Sequence, residues 1–215
     1  MTTERFLMLD TETANTIDDP FYYDLGCAVV DAEGNIYETA SFVNADIFLD
    51  EELMDTAYFK EKIPQYWDEI KAGTRTLKRH INIKKAVREM MKRHNITYVV
   101  AHNASFDWRS TNYTQRLLTS SKYRYFFPYG TKVLDTLKMA REALKTSDSY
   151  RNFCKANGFI CKNGTPRYTA EVIYRWLTGD ANFEEAHTGL EDVLIEAKIF
   201  AFCRSINPNV DGLLW

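Results

Sequence analysis

The sequence predicts one α/β domain in which helices pack on a mixed sheet. Three observations support this prediction. Residues 6–10 (FLMLD) form an apolar run typical of a central strand, residues 25–43 contain two more strand-like runs, and strand and helix patterns alternate from residue 83 onward. The chain of 215 residues contains no Pro/Gly/Ser-rich linker. A single domain spanning residues 1–215 is therefore expected.

The first three strands are predicted to form an antiparallel meander. Residues 25–31 (LGCAVVD) and 36–43 (IYETASFV) are rich in strand-forming residues, and the turn-like sequence AEGN at residues 32–35 separates them. Short turns of this kind join neighbouring antiparallel strands. The sheet should therefore begin with three strands that pair in chain order.

An insertion and an amphipathic helix are expected next. Residues 46–82 are rich in aromatic and charged side chains, and Pro64 and Gly73 interrupt them, so no element is predicted there. From Ile83 the apolar side chains follow helical spacing, with basic residues on the other faces. These apolar side chains are Ile83, Val87, Met90 and Met91.

The second half of the chain alternates strands and helices. Short apolar strands at residues 98–101 and 133–134 lead to Asp107 and Asp135, at each of which a helix is expected to begin. Further helices are predicted at residues 150–157, 170–177 and 187–206. The predicted sheet is therefore an antiparallel meander followed by parallel strands, with helices flanking it.

Composition is that of a soluble protein with a large core. Hydrophobic residues make up 45% of the chain and charged residues 27%, which excludes a disordered chain. The four cysteines have no CxxC pairing, so neither a zinc ribbon nor a disulfide framework is indicated. No run approaches the ~20 apolar residues of a membrane span. A cytoplasmic location is expected.

Charge is distributed unevenly along the chain. Residues 1–70 carry 17 Asp/Glu and three Lys/Arg, whereas residues 71–93 carry nine Lys/Arg and one acid. Such a separation suits an enzyme that concentrates metal ions at one place and binds phosphates at another. A solvated helix face explains the basic run equally well. The candidate phosphate-binding residues are Arg75, Lys78, Arg79, Lys84 and Lys85.

Two acids at the end of the first strand indicate a metal site. Asp10 and Glu12 are two residues apart, so they project from one face of a strand with their Cα atoms ~6.6 Å apart. Two ionised carboxylates near a buried strand repel each other and lose hydration, and a divalent cation removes that penalty. Mg²⁺ and Mn²⁺ prefer oxygen ligands, and two such ions about 4 Å apart can act in phosphoryl transfer.

Four other residues are candidates for the same chemistry. Asp107 and Asp135 stand where helix N-caps are expected, and each can be a cap or a ligand. Asp192 shares a helical stripe with apolar residues, so it faces packed structure and requires a partner. His187 precedes that helix, where a lone histidine is more often a surface or capping residue.

Taken together, these residues resemble the DEDDh 3′-to-5′ exonucleases, the DnaQ-like group with a ribonuclease H-like fold. The sequence LDTET is similar to the family's first motif, VVAHNASFD to its second and HTGLED to its third. The matching residues are Asp10, Glu12, His102, Asn103, Phe106, Asp107, His187 and Asp192. Thr188 stands where the related tyrosine branch has its tyrosine, which places the resemblance in the histidine branch.

The resemblance implies roles for these residues. Two divalent ions, Mg²⁺ or Mn²⁺, would be held by the four acids Asp10, Glu12, Asp107 and Asp192. His187, with an ordinary pKa of ~6.5, would be the general base. Asp135 would support the metal site without contacting the ions. Contacts with the terminal nucleotide would come from Thr13, His102, Asn103 and Phe106.

The function expected from the resemblance is metal-dependent 3′-to-5′ exonuclease activity on single-stranded ends, releasing nucleoside 5′-monophosphates. DNA is the favoured substrate, and an RNA-trimming exoribonuclease is the alternative. A nonhydrolysing polymerase-accessory module would keep the fold without needing all five site residues. The departure from the family pattern is the insertion at residues 46–82.

Two segments carry further predictions. Residues 122–130 (KYRYFFPYG) interleave basic and aromatic side chains, as either a single-strand-binding surface or a core cluster would. The C-terminal tail, residues 206–215, ends in VDGLLW. This apolar end either packs on its own domain or docks on a polymerase or sliding clamp.

Overall fold

The computed structural model describes residues 4–120 and 124–208, and within them six strands form one mixed sheet. The strands are β1 (Phe6–Asn15), β2 (Pro20–Val30), β3 (Ile36–Asn44), β4 (Thr76–Lys78), β5 (Tyr98–Ala101) and β6 (Lys132–Asp135). Their order across the sheet is β4-β3-β2-β1-β5-β6. β1 therefore has a partner strand on each side.

The predicted antiparallel meander is confirmed. β1 pairs with β2, and β2 pairs with β3, both antiparallel. β5 joins β1 as a parallel strand, and β6 joins β5 in the same sense. β4 runs parallel to β3 at the other edge. The sequence does not predict β4, because its three residues are too few to show a period.

Helices cover both faces of the sheet. They are α1 (Ala45–Phe48), α2 (Glu51–Met54), α3 (Ile63–Ala72), α4 (His80–Arg93), α5 (Ala104–Leu118), α6 (Thr136–Leu144), α7 (Asp148–Ala156), α8 (Ala170–Thr178) and α9 (Gly189–Ile206). Phe6 and Met8 of β1 enter the core under α6–α9, whereas Leu7 and Leu9 enter the core under α4. Burial on both faces explains why the strand is continuously apolar.

Residues 46–82, for which no element was predicted, are ordered and have a core of their own. Helices α1–α3 pack Phe48 and Tyr66 against Tyr23 of β2 and other buried side chains. Pro64 lies in the first turn of α3, and Gly73 caps its end with φ of 78°. The proline and glycine that interrupt the sequence pattern are therefore the boundaries of one helix.

The two predicted helix starts at aspartates differ in outcome. Asp135 is the N-cap of α6, and its carboxylate accepts a hydrogen bond from the Leu137 amide at 2.9 Å. α5 begins instead at Ala104, and Asp107 lies within its first turn. The cap interpretation of Asp107 is therefore wrong, and its carboxylate has another use.

Within the KYRYFFPYG segment, residues 124–130 divide between core and surface. Phe126 and Phe127 are buried, whereas Tyr125 and Tyr129 are exposed. Lys122 and the VDGLLW end of the tail lie outside the described residues. Across residues 4–120 and 124–208, no helix has both the length and the apolar character that crossing a membrane requires.

Candidate active site

Three carboxylates converge where β1 meets the start of α9. One ligand oxygen from each of Asp10, Glu12 and Asp192 lies within 4.8 Å of the others. Asp10 and Glu12 alternate with Thr11 along β1, and Asp192 lies in the first turn of α9. The two acids that the strand spacing places on one face and the acid of the helical stripe therefore lie together, as the resemblance implies.

Two glycines allow this close approach. A Cβ atom on Gly26 of β2 would lie 2.1 Å from the Gly189 carbonyl carbon, and one on Gly189 would lie 2.5 Å from the Gly26 nitrogen. No side chain fits at either position, because the neighbouring atoms are backbone. The first turn of α9 can therefore lie directly on β2, beside Asp10.

Asp107 reaches the same region from α5. Its carboxylate accepts a hydrogen bond from the Thr11 hydroxyl at 2.8 Å, and the side chain is 3% exposed. Asp107 lines a cavity of about 750 Å³ together with Asp10, Glu12 and Asp192. The structure thus brings together all four acids that the sequence predicts as metal ligands.

Burial shapes the electrostatics of this cluster. It raises the pKa of Glu12 to about 9, with Asp192 adding like-charge repulsion, and raises the pKa of Asp107 and of Asp192 to about 7. The pKa of Asp10 is raised in the same way by burial and by the neighbouring carboxylates. The cluster without a cation therefore favours protons, the usual result when buried acids lack a counter-charge.

Unpartnered oxygens in the cluster suit a divalent cation. Asp192 accepts a hydrogen bond from the Thr188 amide through Oδ2, whereas its buried Oδ1 has no partner among the described residues. A buried acceptor without a donor is costly, and a hard cation with oxygen ligands satisfies it. The residues present therefore fit a divalent metal such as Mg²⁺ or Mn²⁺.

His187 lies in the loop before α9 and is held by the 46–82 segment. Phe59 stacks on its ring with centroids 4.4 Å apart, and Lys62 donates a hydrogen bond to the neighbouring Ala186 carbonyl. Its Nδ1 lies 3.9 Å from the Glu185 carboxylate. Partial burial and the charge of Lys62 lower the pKa of His187, so the imidazole is neutral at neutral pH.

Several cavity residues escape the sequence analysis. Glu185 and Glu196 bring the number of carboxylates lining the cavity to six, and Arg141, Arg167 and Tyr168 also line it. Glu196 lies four residues after Asp192, on the same helix face, so its spacing is a signal that could have identified it. Glu185 and the two arginines have no such pattern in the sequence.

The four residues that are predicted to contact the nucleotide do not all line the cavity. His102, Asn103 and Phe106 line the cavity, whereas Thr13 is not among its lining residues. His102 Nε2 donates to the Tyr168 carbonyl at 2.8 Å, and Nδ1 lies 3.0 Å from the Thr136 hydroxyl. Both ring nitrogens are therefore used within the protein, and His102 anchors the Tyr168 loop.

Asp135 supports this edge of the cavity. Its carboxylate accepts a hydrogen bond from the Asn103 amide at 3.0 Å in addition to capping α6. Asn103 has the left-handed backbone conformation, with φ of 67°. Asp135 therefore fixes the turn that carries Asn103, and it is absent from the lining of the cavity.

Two of the five predicted phosphate-binding residues require correction. Arg75 is 3% exposed and its guanidinium is bonded to Asp24, Glu69 and Glu191. Lys84 is 8% exposed and donates to Gln115 Oε1 at 2.9 Å. Both cations are paired inside the protein, so they are not available to a nucleic-acid backbone.

The other three predicted phosphate-binding residues remain at or near the surface. Arg79 pairs with Asp46 at 2.8 Å, and Lys85 approaches Glu89 at 3.9 Å, with each basic side chain 74% exposed. Lys78 lies over the Phe42 ring at 5.1 Å. Phosphate binding by these three side chains stays a prediction.

Arg75 is the centre of a second buried cluster beside the cavity. It donates to the Asp24 carboxylate at 3.0 and 3.2 Å and to Glu191 at 2.6 Å. Asp24 also accepts from the Tyr66 hydroxyl at 2.7 Å and from the Gly189 amide at 2.8 Å. The cluster therefore connects the 46–82 segment and β2 to the start of α9.

Comparison with known proteins places this fold. No family model and no curated protein matches the sequence. Among solved structures, apo Exonuclease I matches with a TM-score of 0.60 and 17% identity, covering 96% of this chain and 43% of that one. The E. coli Exonuclease I complex with a dA16 oligonucleotide matches with a TM-score of 0.55 and 17% identity, covering 95% and 41%.

A third solved structure is the zinc-bound form of the E. coli ExoI–ssDNA complex. It matches with a TM-score of 0.55 and 15% identity, covering 97% of this chain and 42% of that one. The chain thus spans less than half the length of the Exonuclease I chains that it matches. The predicted ribonuclease H-like mixed sheet is confirmed, and the protein shares the fold of Exonuclease I.

Proposed function

We propose that this protein is a metal-dependent 3′-to-5′ exonuclease that acts on single-stranded DNA. The observation that carries the proposal is the convergence of Asp10, Glu12 and Asp192 within 4.8 Å, in one cavity with Asp107 and His187. The shared fold with Exonuclease I supports it. The role of each residue follows from its chemistry.

The four acids would hold two divalent ions, Mg²⁺ or Mn²⁺. Asp10 and Glu12 would contribute from β1, Asp107 from α5 and Asp192 through its unpartnered Oδ1. When bound, the ions would supply positive charge for the scissile phosphate and the leaving oxygen. The Thr11 hydroxyl orients Asp107, and the Thr188 amide orients Asp192.

His187 would act as the general base. Its lowered pKa keeps an imidazole nitrogen free to take a proton from the attacking water near neutral pH. The stacked Phe59 ring limits the orientations available to the imidazole. The Glu185 carboxyl group lies 3.9 Å from Nδ1, and burial raises its pKa to about 8, so it would stabilise the imidazolium only where it is ionised.

Single-stranded DNA is favoured as the substrate because two of the matched Exonuclease I structures are complexes with single-stranded DNA or an oligonucleotide. Phe106 and Tyr168 offer aromatic rings at the cavity, and stacking on such rings tolerates any base. An RNA-trimming exoribonuclease is the alternative. Docking on a polymerase or clamp through the tail stays a prediction.

The test is hydrolysis of end-labelled single strands. We expect stepwise shortening of DNA from its 3′ end with Mg²⁺ or Mn²⁺ and no shortening after chelation. RNA of equal length tests whether the enzyme distinguishes ribose from deoxyribose. DNA labelled at the other end tests the direction of degradation. Faster shortening of RNA would favour the alternative. Intact strands under every metal condition would contradict the proposal and favour a nonhydrolysing module.

A further inference from the structure

The cavity has an acidic wall, which carries the carboxylates, and a second wall formed by α6 and the loop before α8. The two walls differ in charge. The second wall contributes two arginines, Arg141 from α6 and Arg167 from the loop. Both side chains are exposed, and neither guanidinium donates a hydrogen bond or forms an ion pair within residues 4–120 and 124–208. Six carboxylates line the same cavity, yet the arginines do not pair with them.

The backbone of this wall is fixed although the cations are free. The Arg167 amide donates to the Phe159 carbonyl at 2.9 Å, and the Tyr150 hydroxyl donates to the Arg167 carbonyl. His102 holds the neighbouring Tyr168 through its carbonyl. Because the backbone is already fixed, only the side-chain rotamers of the arginine have to be ordered when it binds an anion.

Arg141 is fixed in the same way by the core. Met139 and Ala140, the two residues before it in α6, are buried in the core, and Asp135 caps the start of α6. Burial, with a smaller contribution from the charge of Arg141, lowers the pKa of His102. Both arginines line the cavity that His102 also lines.

We propose that Arg141 and Arg167 form a binding site for a phosphodiester of the single strand on the 5′ side of the scissile bond. The proposal rests on the proposed function, since a strand whose terminal phosphate lies at the four acids must continue out of the cavity. Guanidinium groups bind phosphate oxygens bidentately. The acidic wall repels such a phosphate, and the arginine wall is the cationic surface within the cavity.

A pair of substrates separates this site from the scissile site. Thymidine 5′-(p-nitrophenyl phosphate) carries one phosphodiester, whereas an oligo-dT strand carries further phosphates upstream. For Arg141→Ala/Arg167→Ala, we expect kcat/KM on the oligonucleotide to fall by about 10- to 100-fold, mainly through KM. On the small ester kcat/KM should stay within about 3-fold of the wild type, because no upstream phosphate is present.

Arg151→Ala is the matched control, because Arg151 is an α7 arginine that pairs with Asp148 at 2.9 Å and does not line the cavity. This substitution should leave kcat/KM unchanged on both substrates. Arg141→Lys/Arg167→Lys keeps the charge and loses the planar fork, so it should recover part of the oligonucleotide activity. Equal losses on both substrates, or no loss on either, would overturn the proposal.

A binding measurement tests the site without hydrolysis. In Ca²⁺ buffer, the slope of log affinity for oligo-dT against log salt should flatten by about 0.7 for each arginine removed. An unchanged slope in Arg141→Ala/Arg167→Ala would overturn the phosphate contact. A wild-type protein that binds with the expected slope and hydrolyses neither substrate would refute the proposed function while leaving the phosphate site supported.

Discussion

Two buried carboxylate clusters lie side by side at the start of α9, and they differ in how their charge is met. In the first, Asp24 is fully buried and faces Arg75, the Tyr66 hydroxyl and the Gly189 amide. In the second, Asp192 is 4% exposed and shares its site with Asp10 and Glu12, and its Oδ1 has no partner among the described residues. One cluster contains its own cation, and the other is the proposed site for a cation from solution.

The paired cluster around Arg75 explains how the folded chain can keep the unpaired carboxylates close together. Burial raises the pKa of Asp24, and Arg75, the Gly189 amide and the Tyr66 hydroxyl oppose that rise. Glu191 of α9 is held by the same arginine at 2.6 Å. The paired cluster therefore fixes the turn that carries Asp192, so that the unpaired carboxylates cannot move apart to relieve their repulsion.

The largest expected effect comes from neutralising one acid in each cluster. Asp10→Asn or Asp192→Asn should reduce hydrolysis to the buffer background, because each removes a proposed metal ligand. Without metal, each should raise the unfolding temperature, since it removes a buried carboxyl group that must either take up a proton or repel its neighbours. Asp24→Asn should instead lower it, because Arg75 loses its partner. End-labelled DNA assays and thermal unfolding in chelator measure both effects.

Hydrolytic activity in Asp10→Asn comparable to the wild type would contradict the metal-site assignment. A rise in unfolding temperature for Asp24→Asn would remove the distinction between the two clusters.

The next effect concerns the proposed general base. His187→Ala should lower kcat by about two to four orders of magnitude, the usual contribution of a general base, with little change in DNA binding. Because burial and Lys62 lower the pKa of His187, the acid limb of the kcat/KM profile should lie below the ordinary value of about 6.5. A loss of affinity with unchanged kcat would make His187 a binding residue.

A smaller but still large effect is expected from the paired cluster. Arg75→Ala should lower the free energy of unfolding by about 3–5 kcal/mol, because it leaves Asp24 buried without a counter-charge. Arg79→Ala is the matched control four residues along the chain. Its ion pair with Asp46 involves a side chain 74% exposed, so its loss should cost about 0–1 kcal/mol. Urea unfolding at neutral pH measures both, and equal losses would contradict the role of burial.

The fate of Arg75 shows what the sequence cannot provide. Its position in a basic run predicts a surface cation, whereas its partners Asp24 and Glu191 are 51 and 116 residues away in the chain. Charge counting along a sequence carries no information on such long-range pairs. Asp10 and Glu12 were predictable because the strand period alone places them on one face.

The same limit applies to the 46–82 segment and to the second wall of the cavity. Phe59 and Lys62 contact the His187 loop through tertiary packing, which has no local period. Arg141 and Arg167 reach the cavity from separate elements for the same reason. Glu196 is the exception, since its spacing from Asp192 follows the helix.

The last expected effect is a pH dependence of stability that arises from the protons held by the unpaired carboxylates. In the folded protein without metal, the pKa of Asp107 and of Asp192 is about 7, against about 4 in an unfolded chain. The folded state therefore binds more protons than the unfolded chain. The stability that these protons contribute is complete below about pH 4 and is lost as the pH rises through 7. Glu12, with a pKa of about 9, extends the loss to higher pH.

Between pH 5 and 8, the free energy of unfolding of the metal-free protein should thus fall by about 1.4 kcal/mol per pH unit for each proton that the folded state binds in excess of the unfolded chain. The lowered pKa values of His80, His102 and His187 oppose this loss below about pH 6.5, because the unfolded chain binds protons there that the folded imidazoles do not. The lowered pKa values of Asp31, Glu38 and Glu191 act below the window, because those carboxyl groups are ionised throughout it. Saturating Mn²⁺ should flatten the dependence, since the cation replaces the protons. Asp107→Asn/Asp192→Asn should flatten it without metal. Urea titrations at pH 5, 6, 7 and 8 measure the slope, and a metal-free protein whose stability is constant or rises over this range would show that the cluster is ionised without a cation.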